Sequence, residues 1–298
     1  MTGPGHPVSL DRLLRDAAET LATAGIESAR ADAELLAAHV LGISRQTLAR
    51  DLILGRRTAT ESQLERFLRL VAQRATRVPL QHLTGIAPFR RIELSVGPGV
   101  FIPRPETELL AGWGIERLSA RPSGADRSRA VDLCAGSGAI GLALANELPG
   151  MHVTAVESDP GALPWLARNV ANVGIAEGSG VEIVSGDATD PGVLGELDGS
   201  VNLVLSNPPY IDRVETVAPE AGHDPAEALW ADEGGLAVLR GVVRRAESLL
   251  HVGGQFGIEH AESQGAAVRK LLPGGVWREI ATHHDLAGRD RFTTAQRR

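Results

Sequence analysis

In the middle of the chain stands the stretch Asp132-Leu133-Cys134-Ala135-Gly136-Ser137-Gly138-Ala139-Ile140-Gly141. An apolar run enters it, three glycines follow in the spacing G-x-G-x-x-G, and a helical pattern leaves it. Glycines in this spacing let a ligand approach the backbone and let the following helix pack closely on a strand. The stretch therefore predicts a strand, a tight ligand-binding turn and a helix.

Further apolar runs follow at regular intervals and alternate with helical patterns. They are Ala130–Leu133, Val153–Val156, Val181–Val184, Val201–Leu205 and Gln255–Ile258. Short strands separated by helices indicate an α/β domain with a parallel, doubly wound sheet. Ligands of such sheets bind at the carboxyl ends of the strands.

Acidic residues stand where the first three of these runs end. Glu157 ends the second run, where an acid can accept hydrogen bonds from a ribose diol, and this suits NAD and S-adenosylmethionine equally. Asp132 favours S-adenosylmethionine, because an acid can receive its ammonium group whereas a dinucleotide would bring a pyrophosphate. Asp187 follows the third run, near the expected adenine, and its neighbour Ala188 offers no aromatic face for stacking.

Directly after the fourth run comes Ser206-Asn207-Pro208-Pro209-Tyr210. Two prolines fix an extended turn and remove two donors, so the Asn207 side chain and the Pro208 carbonyl can both present acceptors. Two acceptors can grip an NH2 group on a planar carbon and aim its lone pair at a methyl donor, so catalysis rests on positioning and electrostatics. Tyr210 can pack against the planar group.

The chain before the sheet has a different pattern. Residues 10 to 75 show helical periodicity, which predicts a small helical bundle at residues 1–77. Residues 78–105 carry short extended runs around Gly97-Pro98-Gly99 and predict a β-hairpin linker. The remaining residues, 106–298, form the predicted catalytic domain.

The composition and charge of the chain argue against several classes of protein and of binding site. The chain has 298 residues and a net charge of -7, which argues against stable nucleic-acid binding through many phosphates. The net charge does not exclude a local basic patch at Arg66, Arg69, Arg74 and Arg77. The single cysteine, Cys134, excludes a disulfide framework and a cysteine-based zinc site, and no metal site is expected. No apolar run has the length of a membrane span, so a cytoplasmic protein is expected.

Five segments together resemble the peptide chain release factor N5-glutamine methyltransferases, the HemK/PrmC family. These are residues Pro79–Gly85, Phe101–Glu108, Asp132–Ile140, Asn207–Ile211 and Asp285–Arg291. The resemblance implies a seven-stranded, Rossmann-like class I methyltransferase domain behind a helical domain that docks class I release factors. It also implies methylation of the glutamine in their Gly-Gly-Gln loop.

By the same resemblance, particular residues acquire roles. Asn207, Pro208, Pro209 and Tyr210 would hold the glutamine amide. S-adenosylmethionine would be bound by Glu157 and the loop residues Cys134, Ala135, Gly136, Ser137 and Gly138, with Phe101 and Thr107 flanking it. The sequence departs from the family at Cys134, at Ala188, and in His223-Asp224-Pro225-Ala226-Glu227-Ala228-Leu229, which keeps only the Pro and Ala-Leu of Glu-Pro-x-x-Ala-Leu.

Three other interpretations stay open at this point. The first is an adenine N6 or guanine N2 methyltransferase, because Asn-Pro-Pro-Tyr grips any planar NH2. The others are an inactive binding module and an NAD oxidoreductase, for which no acid or base for hydride chemistry is evident. The glutamine methyltransferase is the preferred hypothesis, acting as a monomer.

Overall fold

The computed structural model describes residues 9–55, 58–119 and 128–298. The chain divides into two compact units. The helical unit comprises the chain up to Gly85 together with Ala218–His223, and the sheet unit comprises Ile86–Val217 and Asp224–Arg298.

Among its described residues, the helical unit has five α-helices: α1 Leu10–Thr23, α2 Ala29–Leu41, α3 Arg45–Ile53, α4 Glu61–Ala75 and α5 Leu80–Thr84. A capping box begins α4: the Thr60 hydroxyl accepts from the backbone N–H of Gln63, and the Gln63 side chain accepts from the backbone N–H of Thr60. Leu14, Leu21, Leu36 and Leu48 are fully buried and form its core. Helix α5 extends this unit past residue 77, the predicted boundary, because Leu80 and Leu83 pack on that core.

A buried ion cluster lies inside the helical unit. The Nε of Arg74 donates to Asp32 at 2.7 Å, and Arg74 and Arg77 both donate to Glu220 in the segment Ala218–His223. Arg74 is 6% exposed and Asp32 is 4% exposed. Two of the four arginines of the candidate basic patch are thus neutralised by carboxylates, which leaves them unsuited to phosphate contacts.

The sheet unit begins with a hairpin whose position differs from the prediction. Strands β1 Ile86–Phe89 and β2 Ile92–Ser95 pair antiparallel, and the chain reverses at Arg90, whose φ is +51°. The predicted turn at Gly97-Pro98-Gly99 lies beyond the hairpin. Gly97 is needed there for packing, because a Cβ at this position would lie 2.6 Å from the Trp165 ring.

A seven-stranded sheet has the order β10-β11-β9-β6-β3-β4-β5. Its strands are β3 Arg129–Leu133, β4 His152–Glu157, β5 Gly180–Ser185, β6 Val201–Ser206, β9 Leu250–Glu259, β10 Trp277–His284 and β11 Asp290–Arg297. All five predicted strands are present and parallel, and only β11 pairs antiparallel with its neighbours. The Rossmann-like class I methyltransferase fold with a seven-stranded sheet is therefore confirmed.

In the part of the sheet unit that the structure describes, six α-helices accompany the sheet: α6 Thr107–Ser119, α7 Ala139–Glu147, α8 Leu163–Asn172, α9 Ala226–Leu229, α10 Leu236–Leu249 and α11 Gly265–Lys270. Two short strands, β7 Ile211–Asp212 and β8 Trp230–Ala231, pair outside it. Short 3-10 turns span Gly195–Leu197, Pro219–His223 and Glu262–Gln264.

Helix α6 approaches the sheet closely over β6 and β9. A Cβ added to Gly257 of β9 would lie 2.7 Å from Leu110 of α6 and 2.9 Å from Leu205 of β6. The missing side chain lets the helix settle on these strands. The first residue of α6, Thr107, consequently meets the last residue of β9, Glu259.

Candidate active site

A cavity of about 310 Å³ opens at the carboxyl ends of β3, β4, β5 and β6, beside the switch point where β3 lies between β4 and β6. Twelve of the residues predicted from the sequence line it: Phe101, Thr107, Asp132, Cys134, Ala135, Gly136, Ser137, Glu157, Asp187, Ala188, Asn207 and Pro209. The other three predicted residues, Gly138, Pro208 and Tyr210, are not among the lining residues. Lining residues for which the sequence predicted no role in the site include Pro103, Asp159, Thr189, Pro225, Glu227 and Val238.

The glycine loop after β3 has a backbone that turns through the left-handed region three times. The φ angles are +64° at Cys134, +56° at Gly136 and +87° at Gly138. At Gly138, packing as well as the backbone conformation excludes a side chain, because an added Cβ would lie 2.6 Å from Leu166. Cys134 therefore occupies a left-handed conformation that glycine adopts without strain. At this departure from the family pattern, the cysteine side chain costs the folded protein conformational free energy.

Asp132, at the end of β3, is fully buried at the base of the cavity. Its Oδ2 accepts a 2.8 Å bond from the backbone N–H of Gly141, and its Oδ1 has no partner among the described residues. Burial, assisted by the charge of Glu157, raises the pKa of Asp132 to about 7. An unpartnered buried carboxylate oxygen suits a ligand's ammonium group.

Glu157 ends β4 and is held by the backbone. Its Oε2 accepts from Gly136 N–H at 2.7 Å, and its Oε1 accepts from the N–H groups of Ser158 and Asp159, each at 2.8 Å. Three donors fix the carboxylate, and a carboxylate offers about four acceptor positions. Glu157 thus keeps acceptor capacity for a ligand hydroxyl.

The other cavity carboxylates give the walls an acidic character. Asp187 is exposed and its Oδ1 accepts from Thr189, while Asp159 and Glu227 also line the cavity. Ala188 is buried and presents a small apolar surface. Such walls favour a cationic ligand over a pyrophosphate, which speaks against the NAD interpretation.

The Asn-Pro-Pro-Tyr turn leaves β6 next to this cavity. Ser206 anchors it, since its hydroxyl donates a 2.6 Å bond to the carbonyl of Leu133. The Asn207 Nδ2 donates to Thr107 Oγ1 at 3.1 Å, so the amide oxygen Oδ1 is the atom left for a ligand. At the far end of the turn, the Tyr210 carbonyl accepts a 2.8 Å bond from Gln264.

Glu259 completes this arrangement, and sequence reasoning missed it. Its Oε2 accepts from Thr107 Oγ1 at 2.7 Å, and its Oε1 accepts from the Tyr210 hydroxyl at 3.1 Å. The residue is 1% exposed, and burial raises its pKa to about 7. The signal was available, because Glu259 directly follows the predicted strand Gln255–Ile258, at the same sheet edge as Asp132 and Glu157.

Comparisons with known proteins agree with this geometry. Residues 12–85 match the PrmC N-terminal domain, and residues 115–239 match the methyltransferase small domain. A release factor glutamine methyltransferase of Streptomyces coelicolor is 46% identical over 286 residues, which cover 94% of this chain and 95% of that protein. The chain belongs to the release factor glutamine methyltransferase family.

Two further proteins, one known by its sequence and one by its crystal structure, are similar to this chain. A 4-amino-L-phenylalanine/4-methylamino-L-phenylalanine methyltransferase of Streptomyces pristinaespiralis is 39% identical, over 89% of this chain and 87% of that protein. A crystal structure of a release factor-specific protein-(glutamine-N5) methyltransferase from Alicyclobacillus acidocaldarius is 25% identical, with a TM-score of 0.40 over 68% of this chain and 98% of that one.

One departure from the family pattern finds a structural explanation in this member of the release factor glutamine methyltransferase family. Asp224, in the altered segment after the motif, accepts from the Ile102 backbone at 3.2 Å and forms an ion pair with Arg104. Arg104 in turn lies 4.8 Å from the centroid of the Phe101 ring. The segment is thereby fixed against the cavity wall that contains Pro225 and Glu227.

Within the described ranges, no helix combines the length and the apolar character needed to cross a bilayer.

Proposed function

We propose that the protein transfers a methyl group from S-adenosylmethionine to the side-chain nitrogen N5 of the glutamine in the Gly-Gly-Gln loop of class I peptide chain release factors. One observation carries the proposal. The Asn207 amide is held through its nitrogen by Thr107, so its oxygen is left to accept a hydrogen bond from a substrate NH2 at the edge of the cavity.

The cavity residues fit S-adenosylmethionine. The free Oδ1 of Asp132 suits the ammonium group, Glu157 suits the ribose hydroxyls, and Asp187 with Ala188 borders the adenine position. Bound there, the cofactor supplies an electrophilic methyl group on a sulfonium sulfur. Five acidic side chains around the cavity complement its positive charge.

The motif residues act on the substrate amide. Asn207 Oδ1 accepts one amide N–H and the Pro208 carbonyl accepts the other, which turns the nitrogen lone pair toward the methyl donor. An amide nitrogen is a poor nucleophile, so this orientation is the main source of rate enhancement. The methylated nitrogen then loses its proton to water. Pro209 shapes the wall, and Tyr210 holds the turn through its bond to Glu259.

The helical domain is proposed to dock the release factor. Support comes from its match to the PrmC N-terminal domain over residues 12–85. A nucleic-acid substrate is disfavoured by the net charge of -7 and by the engagement of Arg74 and Arg77 with Glu220.

The test is tritium transfer from labelled S-adenosylmethionine to a purified release factor. A matched factor whose loop glutamine is changed to alanine serves as the substrate control, and Asn207→Ala serves as the enzyme control. Label on the unchanged factor alone is the expected result.

Competing acceptors belong in the same assay. Duplex DNA, ribosomal RNA and 4-amino-L-phenylalanine each present a planar NH2, and the last appears in the name of a relative. Label on one of these, with none on the release factor, would reject the proposed substrate while keeping the cofactor.

A further inference from the structure

We propose that Thr107 and Glu259 are positioning residues that decide which end of the Asn207 amide faces the substrate, and thereby make the site select an amide over a carboxylate. The inference rests on the proposed function and deepens it. Three hydrogen bonds carry it: Asn207 Nδ2 to Thr107 Oγ1 at 3.1 Å, Thr107 Oγ1 to Glu259 Oε2 at 2.7 Å, and Tyr210 OH to Glu259 Oε1 at 3.1 Å.

The direction of these bonds follows from the chemistry of the carboxylate. An ionised carboxylate has no proton and can only accept. The single hydroxyl proton of Thr107 is therefore committed to Glu259, and the remaining lone pairs of Oγ1 can only accept. The partner from Asn207 must then be the NH2 group, which leaves Oδ1 for the substrate.

Glu259, Thr107 and Asn207 thus form a hydrogen-bond relay. Without it, either the oxygen end or the nitrogen end of the Asn207 amide could face the substrate. The oxygen and nitrogen ends of an amide are nearly identical in shape, so a rotation of 180° about χ2 exchanges an acceptor for a donor at the same place. With NH2 outward, the site would repel a glutamine NH2 and favour a carboxylate oxygen. The relay consequently excludes a glutamate at the target position as well as orienting a glutamine.

Both oxygens of Glu259 are engaged, which holds the carboxylate in place. Thr107 begins α6, Tyr210 ends the turn after β6, and Glu259 ends β9, so three different elements meet at this one side chain. The contact between α6 and β9 depends in turn on Gly257. The relay is thus built into the sheet rather than into a loop.

The first test compares Thr107→Val with Thr107→Ser. Valine keeps the shape but removes the hydroxyl, whereas serine keeps both the donor and the acceptor. For each variant, kcat/KM with the release factor is compared with the inhibition constant of a factor whose loop glutamine is changed to glutamate. We expect Thr107→Ser to keep the wild-type preference for glutamine, and Thr107→Val to lose it by roughly tenfold or more.

A buried hydroxyl that takes no part in these three hydrogen bonds provides the matched control. Thr293 is fully buried and bonds His260, so Thr293→Val removes a core hydroxyl without touching Asn207. It is expected to lower stability while preserving the preference for glutamine. A Thr107→Val enzyme that binds both factors equally weakly, with their ratio unchanged, would overturn the inference.

A second measurement needs no substrate. The side-chain NH2 signal of Asn207 can be assigned in a nitrogen-15 spectrum by its loss in Asn207→Ala. Its protons should exchange slowly with solvent in the wild type and in Thr107→Ser, and rapidly in Thr107→Val. Equal exchange in all three proteins would overturn the relay even if release factors proved not to be substrates. A slow signal combined with no methylation of release factors would reject the proposed function alone.

Discussion

The backbone N–H of Gly141 donates a 2.8 Å hydrogen bond to Oδ2 of Asp132, and Oδ1 of the same buried carboxylate has no partner among the described residues. The fold thus holds a carboxylate in place with half of its acceptors unused. Burial raises its pKa to about 7, so keeping this group ionised costs the folded protein free energy. A cationic ligand would offset that cost.

Asp132→Asn should weaken S-adenosylmethionine binding and remove its pH dependence below pH 7. In the wild type the ligand's ammonium group favours the ionised form, so affinity should fall as pH decreases through about 7, by up to roughly tenfold per pH unit. Isothermal titration calorimetry from pH 8 to pH 6 would measure this. An affinity independent of pH in the wild type would contradict the role of Asp132.

The same substitution should stabilise the ligand-free protein at pH 8. The folded-state pKa is raised above the ordinary value, so the wild type loses stability as pH rises from that value to about 7, and the full cost remains above it. Asparagine carries no such cost and can still accept from Gly141. A gain of about 1 to 3 kcal/mol is expected from thermal unfolding at pH 8, shrinking toward zero near pH 4.

Turnover at saturating cofactor should fall below pH 7 because Glu259 becomes protonated. Its burial raises the pKa to about 7, and bonds from Thr107 and Tyr210 with the charge of Arg291 lower it, while Glu106 raises it. Burial lowers the pKa of the adjacent His260 below its ordinary value. About a tenth of Glu259 is ionised at pH 6, so kcat should drop roughly tenfold.

Glu259→Gln should abolish this acidic limb and give a flat, lower kcat, whereas Asp132→Asn at saturating cofactor should retain it. Stopped-time assays across pH 5.5 to 8.5 would separate the two. An unchanged profile in Glu259→Gln would assign the limb to another group.

Asn207→Ala should lower kcat by about 10² to 10³, because the lost hydrogen bond acts mainly in the transition state. Binding of S-adenosylmethionine should change little, since Asp132 and Glu157 remain in place. Single-turnover kinetics and a parallel cofactor titration test both parts. Wild-type turnover in this variant would end the assignment of Asn207.

Cys134→Gly should be more stable than Cys134→Ala, the reverse of the usual order of glycine and alanine. Cys134 has a φ of +64°, and this left-handed conformation costs a residue with a Cβ about 1 to 2 kcal/mol relative to glycine. Thermal unfolding of the two variants measures the difference. Equal or inverted stabilities would show that the loop relaxes when the side chain is changed.

Arg74→Met should destabilise the helical unit by about 3 to 5 kcal/mol, because it leaves the buried Asp32 without its charge partner. Hydrogen exchange should rise in Ala218–His223 as well, since Glu220 loses one of its two arginines. Arg69→Met, on the exposed side of the same helix, is the matched control and should have little effect.

The sequence predicted those parts of the fold that depend on local patterns. The five parallel strands and the glycine loop follow from apolar runs and residue spacing, so they could be placed closely. Strands β10 and β11 were not placed individually, because alternating polar residues at Trp277–His284 and Asp290–Arg297 resemble surface segments until they pair. The hairpin was misplaced, because its reversal at Arg90 contains no glycine while Gly97 serves packing.

In the candidate site, too, local sequence patterns predicted some residues, whereas others depend on long-range contacts. Residues at the ends of β3, β4 and β6 were found from the rule for parallel sheets, and the structure gathers most of them around one cavity. Glu259 was missed although the same rule applies to β9. Its role depends on the pairing of β9 with β6 and on the seating of α6, two long-range contacts that no local pattern reveals.

The segment Ala218–His223 belongs to the helical unit although the chain on both sides of it belongs to the sheet unit. The two units are therefore joined by three covalent crossings, after Gly85, Val217 and His223, instead of one. A helical domain from a relative could not be grafted here by a single splice, because Arg74 and Arg77 would lose Glu220. Any exchange of helical domains between family members therefore has to move this short segment together with the rest of the helical unit.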